Sequence, residues 1–380
     1  MTSLRERIGP ADALGFPGLY TVPAFVNAHT HLELSGQKGY AEPCPPDFPS
    51  WVEQIISKVT AKGLGPDDYV KGYRKGLAES VRAGSAVILD HCRRAEFLLP
   101  HLGDFPCRVE TALEFSGFED DVAAEALEEV LRVRKMHAGA IAALSPVGPH
   151  SISMPLYRRV IEATRRRNLL LCSHIAETPE EVEFTRFGTG PFVEYMVRYK
   201  PRDVSRWTVP GCTPVEMMDR LGGLGPRTVA VHCNVLTDRD VEILARTRTN
   251  VVHCPGSCRF FGHTTFRLRD LLSAGVNVCL GTDSLASNET LSVLDAMRQL
   301  RQEHAWLSDE EIFGLGTLSG HRTLAGGGEP DIPEHDFCVF PWSGGEPPKD
   351  PTPEAALADL LRGEEEPAVV IMGGREVFRR

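Results

Sequence analysis

"VPAFVNAHTHLELSG", residues 22–36, is an apolar run that stops at two histidines one residue apart, with an acid two residues further on. Residues i and i+2 of a strand face the same way, so His29 and His31 point together off the strand's C-terminal end. That placement asks for a fold in which several strands end at one shared mouth.

The rest of the chain supplies the other strands. Short apolar runs stand at 21–29, "GSAVILDHC" at 84–92, "CRVETALEF" at 107–115 and "IAALSPVGPHS" at 141–151. They continue with "LLLCSHIAE" at 169–177, "TVAVHCN" at 228–234, "NVVHCPGS" at 250–257 and "VNVCLGTDS" at 276–284. Nearly continuous apolar runs fit strands covered on both faces of a parallel sheet. Helix-forming stretches alternate with them, among them "DVAAEALEEVLRVRKMHAG" and "TDRDVEILARTR", the second with Thr237 as its expected N-cap.

Eight strand–helix alternations predict an α/β fold, a (β/α)8 TIM barrel over residues 20–325. A doubly wound sheet is the alternative, but the chain has neither GxGxxG nor GxxxxGK. Residues 36–66 read as a long insertion with a helix around 50–60, a lid or a binding element. Residues 1–19 and 326–380, the latter ending in "AVVIMGGREVFRR", read as a small β appendage joining the two ends of the chain.

Bulk properties narrow the function classes. A formal charge of -11 argues against a sequence-independent nucleic-acid binder, which needs Lys and Arg to neutralise phosphates. No apolar run approaches the roughly 18 residues that cross a bilayer, and no signal core follows the basic residues of "MTSLRERIGPADALG". The 10 cysteines include no CxxC pair, and several sit inside expected strands, where a thiol serves as a small apolar residue. A cytoplasmic protein acting on a small molecule is expected, with no nucleic-acid or membrane partner. A homodimer is compatible with the sequence but argued by no residue in it.

The strand ends carry the chemistry. His174 closes "LLLCSHIAE", His232 closes "TVAVHCN" and Asp283 follows "VCLG", each after an apolar run and before a polar turn. Imidazoles with one carboxylate suit Zn²⁺, or Fe²⁺ where the geometry is open. One divalent metal is expected, because "AALSPVGPHS" holds no lysine that could be modified to bridge two. Glu177, three residues past His174, reads either as a proton shuttle or as a solvated loop glutamate.

The set "PAFVNAHTH", "SHIAE", "VHCN" and "GTDS" resembles the amidohydrolase superfamily, and within it the branch of cytosine, guanine and adenosylhomocysteine deaminases. The resemblance runs from about residue 20 to residue 325. "NAHTHLELS", "HIAETPEEVEFTRFGTGP", "CRFFGH" and "LGTDSLASNETLSVLDAMRQLR" further resemble the 6-aminodeoxyfutalosine deaminases of menaquinone biosynthesis. That resemblance implies hydrolysis of an adenine base to hypoxanthine, with release of ammonia, on a purine nucleoside-like substrate. It implies His29, His31, His174 and Asp283 as ligands of one metal, and His232 as the residue that orients the attacking water. Hydroxide generated at the metal would attack C6, held by His232 and Asp283, while Glu177 moves the protons.

Two motifs depart from the pattern: "SPVGPHS" stands where the branch often has "SPHAPYT", and "CPGSC" where it often has "CPRSN". His150 then reads as a substrate contact or a strand cap. Arg259 reads as a cation for a substrate carboxylate or as a solvent-facing side chain. Glu33 reads as a partner for a ribose hydroxyl or as a helix cap. Ser287 and Asn288 read as pocket lining or as an N-cap. His91 and His253 are expected to be structural. Deamination of adenosylhomocysteine or methylthioadenosine, or another aminohydrolase or chlorohydrolase reaction, is the alternative activity. A non-catalytic metal-bound scaffold is the alternative of another class, against which the retained Glu177 argues.

Overall fold

The computed structural model describes residues 4–118, 120–137, 139–199, 208–349 and 351–380. Eight parallel strands run in chain order around a barrel: β3 (Phe25–Thr30), β4 (Ser85–Cys92), β5 (Arg108–Phe115), β6 (Ile141–Pro146), β7 (Leu170–Ile175), β8 (Thr228–His232), β9 (Asn250–His253) and β10 (Val278–Leu280). Helices lie between successive strands, so the chain is a (β/α)8 barrel.

The barrel closes at the mouth. The backbone N–H groups of Thr282 and Asp283 both donate to His29 O, at 2.9 and 3.1 Å, and Thr30 bridges Asp283 in parallel register. Gly281 makes the approach feasible, since a Cβ there would lie 2.9 Å from both the Cβ and the carbonyl oxygen of His29. The strand expected over 21–29 is in fact two. β2 (Leu19–Pro23) leaves the barrel for a second sheet, and the chain passes through Ala24, whose N–H donates to Asp336 O, before β3 begins.

That second sheet is antiparallel, in the order β1 (Gly9–Pro10), β2, β11 (Phe337–Pro341), β12 (Val369–Met372), β13 (Arg375–Arg379). Its last two strands turn on Gly373 and Gly374, both at positive φ, the conformation a tight two-residue hairpin demands. A helix over Pro353–Arg362, which the Gly- and Pro-rich tail does not advertise, lies between β11 and β12.

Small apolar side chains from all eight barrel strands fill the interior, including Ala28, Leu89, Ala112, Ala143, Cys172, Val231, Val252 and Cys279. The alternation carries on to the strand ends: Leu89 leads to His91, Ala112 to Glu114, and Cys172 to His174 on the same face. The expected insertion holds α1 (Phe48–Lys62), capped by Asp47, which accepts from Ser50 N at 2.8 Å, and ended by Gly63 at φ 60°. α2 (Pro66–Arg82) follows and packs on a 3-10 segment over Leu32–Gln37.

Candidate active site

At the floor of the mouth the structure brings together His29, His31, His174 and Asp283. His31 Nε2 lies 3.3 Å from His174 Nε2, and Asp283 Oδ1 lies 3.7 Å from His29 Nε2 and 3.8 Å from His31 Nε2. Four ligand atoms around a tetrahedral cation at about 2.0–2.1 Å stand roughly 3.3 Å apart, so the spacing suits a zinc-sized ion. The tautomers agree. His174 Nδ1 donates to Val147 O at 2.7 Å and His31 Nδ1 to His91 O at 3.1 Å, leaving each Nε2 with its lone pair toward the shared space. His29 is fully buried and neither of its ring nitrogens has a hydrogen bond.

Charge in this cluster favours a cation. Burial pushes the His29 imidazolium down to about 3, so the ring is neutral. Burial pulls His31 the same way, but Glu114, Asp283, Asp90 and Glu33 outweigh it and raise its pKa. The field that favours a proton on His31 favours a divalent ion in its place. Burial alone would raise Asp283, yet His29, His232 and His31 hold its carboxyl well below the ordinary range. Its oxygens are also fixed: Oδ2 accepts from Ser257 Oγ at 2.8 Å and Ser287 Oγ at 3.0 Å, and Oδ1 from Ser284 N at 2.8 Å. These residues fit one metal.

Glu177 and His232 stand beside Asp283, the three offering donor atoms within 4.8 Å of one another. His232 Nε2 lies 3.5 Å from Glu177 Oε1 and has no hydrogen bond of its own. Burial first, and then Asp283, Glu181 and Glu180, push the Glu177 carboxyl well above its ordinary value. The backbone under it is pinned. Glu181 accepts from Ala176 N at 3.0 Å and Glu177 N at 2.9 Å, and Asn234 Nδ2 donates to Glu177 O at 3.1 Å.

Backbone strain collects at these residues. Ala176, His232, Cys233 and Asp283 all have positive φ, between 51° and 73°, a conformation costing about 1–3 kcal/mol for a non-glycine residue. For His232 the turn is decisive. Val229 and Val231 face the interior, so plain alternation would aim His232 outward, and its φ of 73° brings the ring back over the mouth.

The cavity above this floor has a volume of about 400 Å³. His31, His174, Glu177, His232 and Asp283 line it, together with Phe48, Trp51, Ile55 and Ile56 from α1. The insertion is tied to the loop after β10: Trp51 Nε1 donates to Ala286 O at 3.3 Å and Lys38 Nζ to Glu289 O at 2.7 Å.

The weaker candidates divide. His150 lies in a turn beyond β6, lines the cavity and stacks on Phe192 at 4.3 Å between centroids. Glu33 lines the cavity too, and its carboxylate already accepts from Arg94, from Nη1 at 2.6 Å and from the backbone N at 2.9 Å. Of the two readings of Arg259, the solvent-facing one agrees with its place: the guanidinium is exposed, pairs with Glu303 and does not line the cavity. Asn288 also lies outside, donating to Thr282 O at 2.7 Å, and Ser287 acts through Asp283 rather than as lining. The N-cap of the following helix is Ser292.

His253 is structural, stacked on Phe266 at 3.7 Å. His91 is closer to the chemistry than expected. Its ring sits edge-on to His29 at 4.2 Å, with Nδ1 on Ser145 Oγ at 3.0 Å. The sequence reading passed over Glu114, Arg93, Arg94 and Ser257. Inward alternation from Ala112 points to Glu114, and from Leu89 through His91 to Arg93. No signal of that kind marks Ser257, which reaches Asp283 from a different loop.

A cavity at the C-terminal ends of barrel strands, floored by three histidines and an aspartate with a buried glutamate beside them, is the kind of site at which a barrel-type hydrolase works. The amidohydrolase family model matches residues 20–324, and the chain belongs to that family.

It is 31% identical over 321 residues to an aminodeoxyfutalosine deaminase of Deinococcus radiodurans, covering 81% of this chain and 74% of the relative. It is 29% identical over 344 residues to a 5'-deoxyadenosine deaminase of Methanothermobacter thermautotrophicus, covering 85% and 74%. The crystal structure of Helicobacter pylori aminofutalosine deaminase with methylthio-coformycin superposes with a TM-score of 0.79 at 23% identity, over 96% of this chain and 88% of that one.

Proposed function

We propose that the protein is a metal-dependent deaminase of the adenine base of a nucleoside, with 6-aminodeoxyfutalosine converted to futalosine and ammonia. As an amidohydrolase it is a hydrolase acting on carbon–nitrogen bonds other than peptide bonds. The observation that carries the proposal is Glu177, buried beside His232 and Asp283 and facing the cavity, with its pKa well above that of an ordinary carboxyl.

His29, His31, His174 and Asp283 would hold the metal, with zinc preferred for this set of nitrogen and oxygen donors. The ion would supply Lewis acidity, which lowers the pKa of a bound water from 15.7 to about 7. The protein's own groups supply the rest. A carboxyl whose pKa is raised by burial is suited to place a proton on ring N1, which makes C6 electrophilic, and to pass one from the attacking water to the departing amine. Water provides the new C6 oxygen and two protons, of which one stays on ring N1 and one leaves with ammonia. His232 is kept neutral by burial, and its unsatisfied Nε2 is placed to orient the water over C6. The Ser257 and Ser287 hydroxyls keep Asp283 Oδ2 occupied, so that Oδ1 faces His29 and His31.

The substrate assignment rests on the Deinococcus relative and on a cavity that extends well past a purine ring toward an aromatic wall. Ten thiols without a disulfide support a reducing, cytoplasmic setting. Relatives of comparable identity carry other deaminase names, so a substrate panel is the test. Zinc-loaded protein is offered 6-aminodeoxyfutalosine, 5'-deoxyadenosine, methylthioadenosine, adenosylhomocysteine and cytosine, with the adenine absorbance and released ammonia followed together. The highest kcat/KM is expected for 6-aminodeoxyfutalosine. A preference for another adenine nucleoside would change the substrate, and silence on all adenines with zinc bound would sink the reading.

A further inference from the structure

We infer that Glu181 is a positioning residue for the proton carrier: its carboxylate holds the turn at Ala176 and Glu177 against the end of β8 and so fixes where the Glu177 side chain stands. The inference rests on the deaminase reading and adds to it a residue that acts on the reaction only through Glu177.

Glu181 stands in the first turn of the helix Pro179–Phe187, whose N-cap, Thr178, accepts from Glu181 N through its hydroxyl at 3.2 Å. An acid three residues past the N-cap ordinarily reaches back to the N-cap's own N–H and closes a capping box. Elsewhere in the chain Glu216 takes Thr213 N at 3.1 Å, Asp240 takes Thr237 N at 2.8 Å and Glu311 takes Ser308 N at 2.8 Å in this way. Glu181 closes no such box. It overshoots the cap, and its two oxygens take Ala176 N at 3.0 Å and Glu177 N at 2.9 Å. The side chain is also buried, which disfavours its charge and raises its pKa to about 7. Capping alone does not require burial, since Glu311 caps its helix at the surface.

The turn explains the detour. Its carbonyls all go to the loop after β8: Ile175 O accepts from Cys233 N at 3.0 Å, Ala176 O from Val235 N at 3.0 Å and Glu177 O from Asn234 Nδ2 at 3.1 Å. Its two amides go to Glu181, so every backbone polar group of Ala176 and Glu177 has a partner. Ala176 is held at φ 52° and Cys233, paired with Ile175, at φ 51°, conformations that persist only where the surroundings over-determine them. His232 precedes Cys233, and its Nε2 lies 3.5 Å from Glu177 Oε1. The grip on the Glu177 backbone thus sets the spacing of the two groups that handle the water and its protons. Glu181 itself does not line the cavity and touches no substrate.

The test is a double-variant cycle on the zinc-loaded full chain, with 6-aminodeoxyfutalosine or whichever adenine nucleoside the protein turns over fastest. Glu181→Gln keeps the shape of the side chain but turns an amide donor toward one of the two backbone N–H groups. kcat should fall roughly 10- to 100-fold, as for a misplacement of about 1 Å, with KM within about threefold. In a Glu177→Gln background the same change should lower the residual rate by less than about threefold, because no carrier is left to place. Glu311→Ala, which removes an ordinary capping box, should lower the urea midpoint and leave kcat as it is. An equal loss in both backgrounds, or no loss with Glu177 in place, overturns the inference. Should Glu181→Gln not fold, Glu181→Asp, one methylene shorter, takes its place in the cycle. If the wild type deaminates no adenine nucleoside, the deaminase reading falls, and crystal structures of the wild type and the Glu181 variant decide the inference. A Glu177 carboxyl displaced by about 1 Å or more upholds it, and one that keeps its place overturns it.

Discussion

The floor of the cavity and its α1 wall are built on opposite plans. At the floor, His29, His174, His232 and Asp283 rise from strand ends and are nearly fully buried, with His174 Nδ1 fixed by a backbone carbonyl and Asp283 Oδ2 by two serine hydroxyls. At the mouth, the wall comes from one inserted helix, α1, on which Ile56 is 48% exposed and whose link to the β10 loop includes a single indole hydrogen bond. The floor tolerates strain at four residues because dense surroundings over-determine them. The mouth carries little of this and is free to differ in side chains. Chemistry is thereby separated from selection: changes at the floor should abolish turnover, whereas changes at the mouth should redistribute affinity.

The largest expected break is at Glu177. Glu177→Gln keeps the shape and removes the ionisable proton carrier, so kcat should drop by about 10²–10⁴ while the nucleoside Kd, measured by calorimetry, stays within a few-fold. A comparable loss in Kd would show that Glu177 binds rather than reacts. One step down, Ser257→Ala removes one of the two hydroxyls on Asp283 Oδ2, and losing such an outer partner typically costs 10- to 100-fold in metal affinity, to be read from zinc competition against a chromogenic chelator. An unchanged zinc affinity would mean that Ser284 N and Ser287 suffice.

Asp90 sharpens the contrast through stability rather than activity. Burial pushes its carboxyl up to about 7, while Oδ1 accepts from Leu32 N at 2.9 Å and Oδ2 has no hydrogen bond. A folded pKa above the unfolded one means that stability is fully present below about pH 4 and is lost as pH rises toward 7. Asp90→Asn keeps the acceptor and cannot ionise, so its urea midpoint relative to wild type should rise between pH 4 and pH 7 and level off above. A pH-independent difference would rule out the charged form as the cause. Smallest of all, Arg259→Ala should leave kcat/KM within twofold, since an exposed ion pair such as that with Glu303 contributes about 0–1 kcal/mol and faces away from the cavity.

Legibility followed periodicity. His174 and Asp283 could be found because each extends the inward alternation of an apolar run, and His29 and His31 because they close such a run as a same-facing pair, although Ala28 takes the interior position and the register of β3 shifts between Asn27 and Thr30. The alternation carried one step further reaches Glu114 and Arg93. Glu33 and Arg94 show where that rule stops. Proximity to the histidines suggested a ribose contact for Glu33, and no local pattern shows that its carboxylate accepts from Arg94, 61 positions away in the chain. Arg259 was open to two readings for a related reason: it lies in a short helix (Pro255–Phe260) that begins inside the run expected as strand at 250–257, and there it pairs with Glu303.

The sequence by itself determined the barrel, the strand ends and the residue types gathered there, because period-two alternation and apolar runs are local properties of the chain. Only the tertiary structure decided which atoms face one another. It split the first run between two sheets at Ala24, turned His232 inward through a left-handed backbone, and set Ser257 and Ser287 on one oxygen of Asp283. It also paired Glu33 with Arg94 and Glu114 with Arg93. Those pairings join segments far apart in sequence, and a hydrogen bond between them is fixed by packing that no local pattern records.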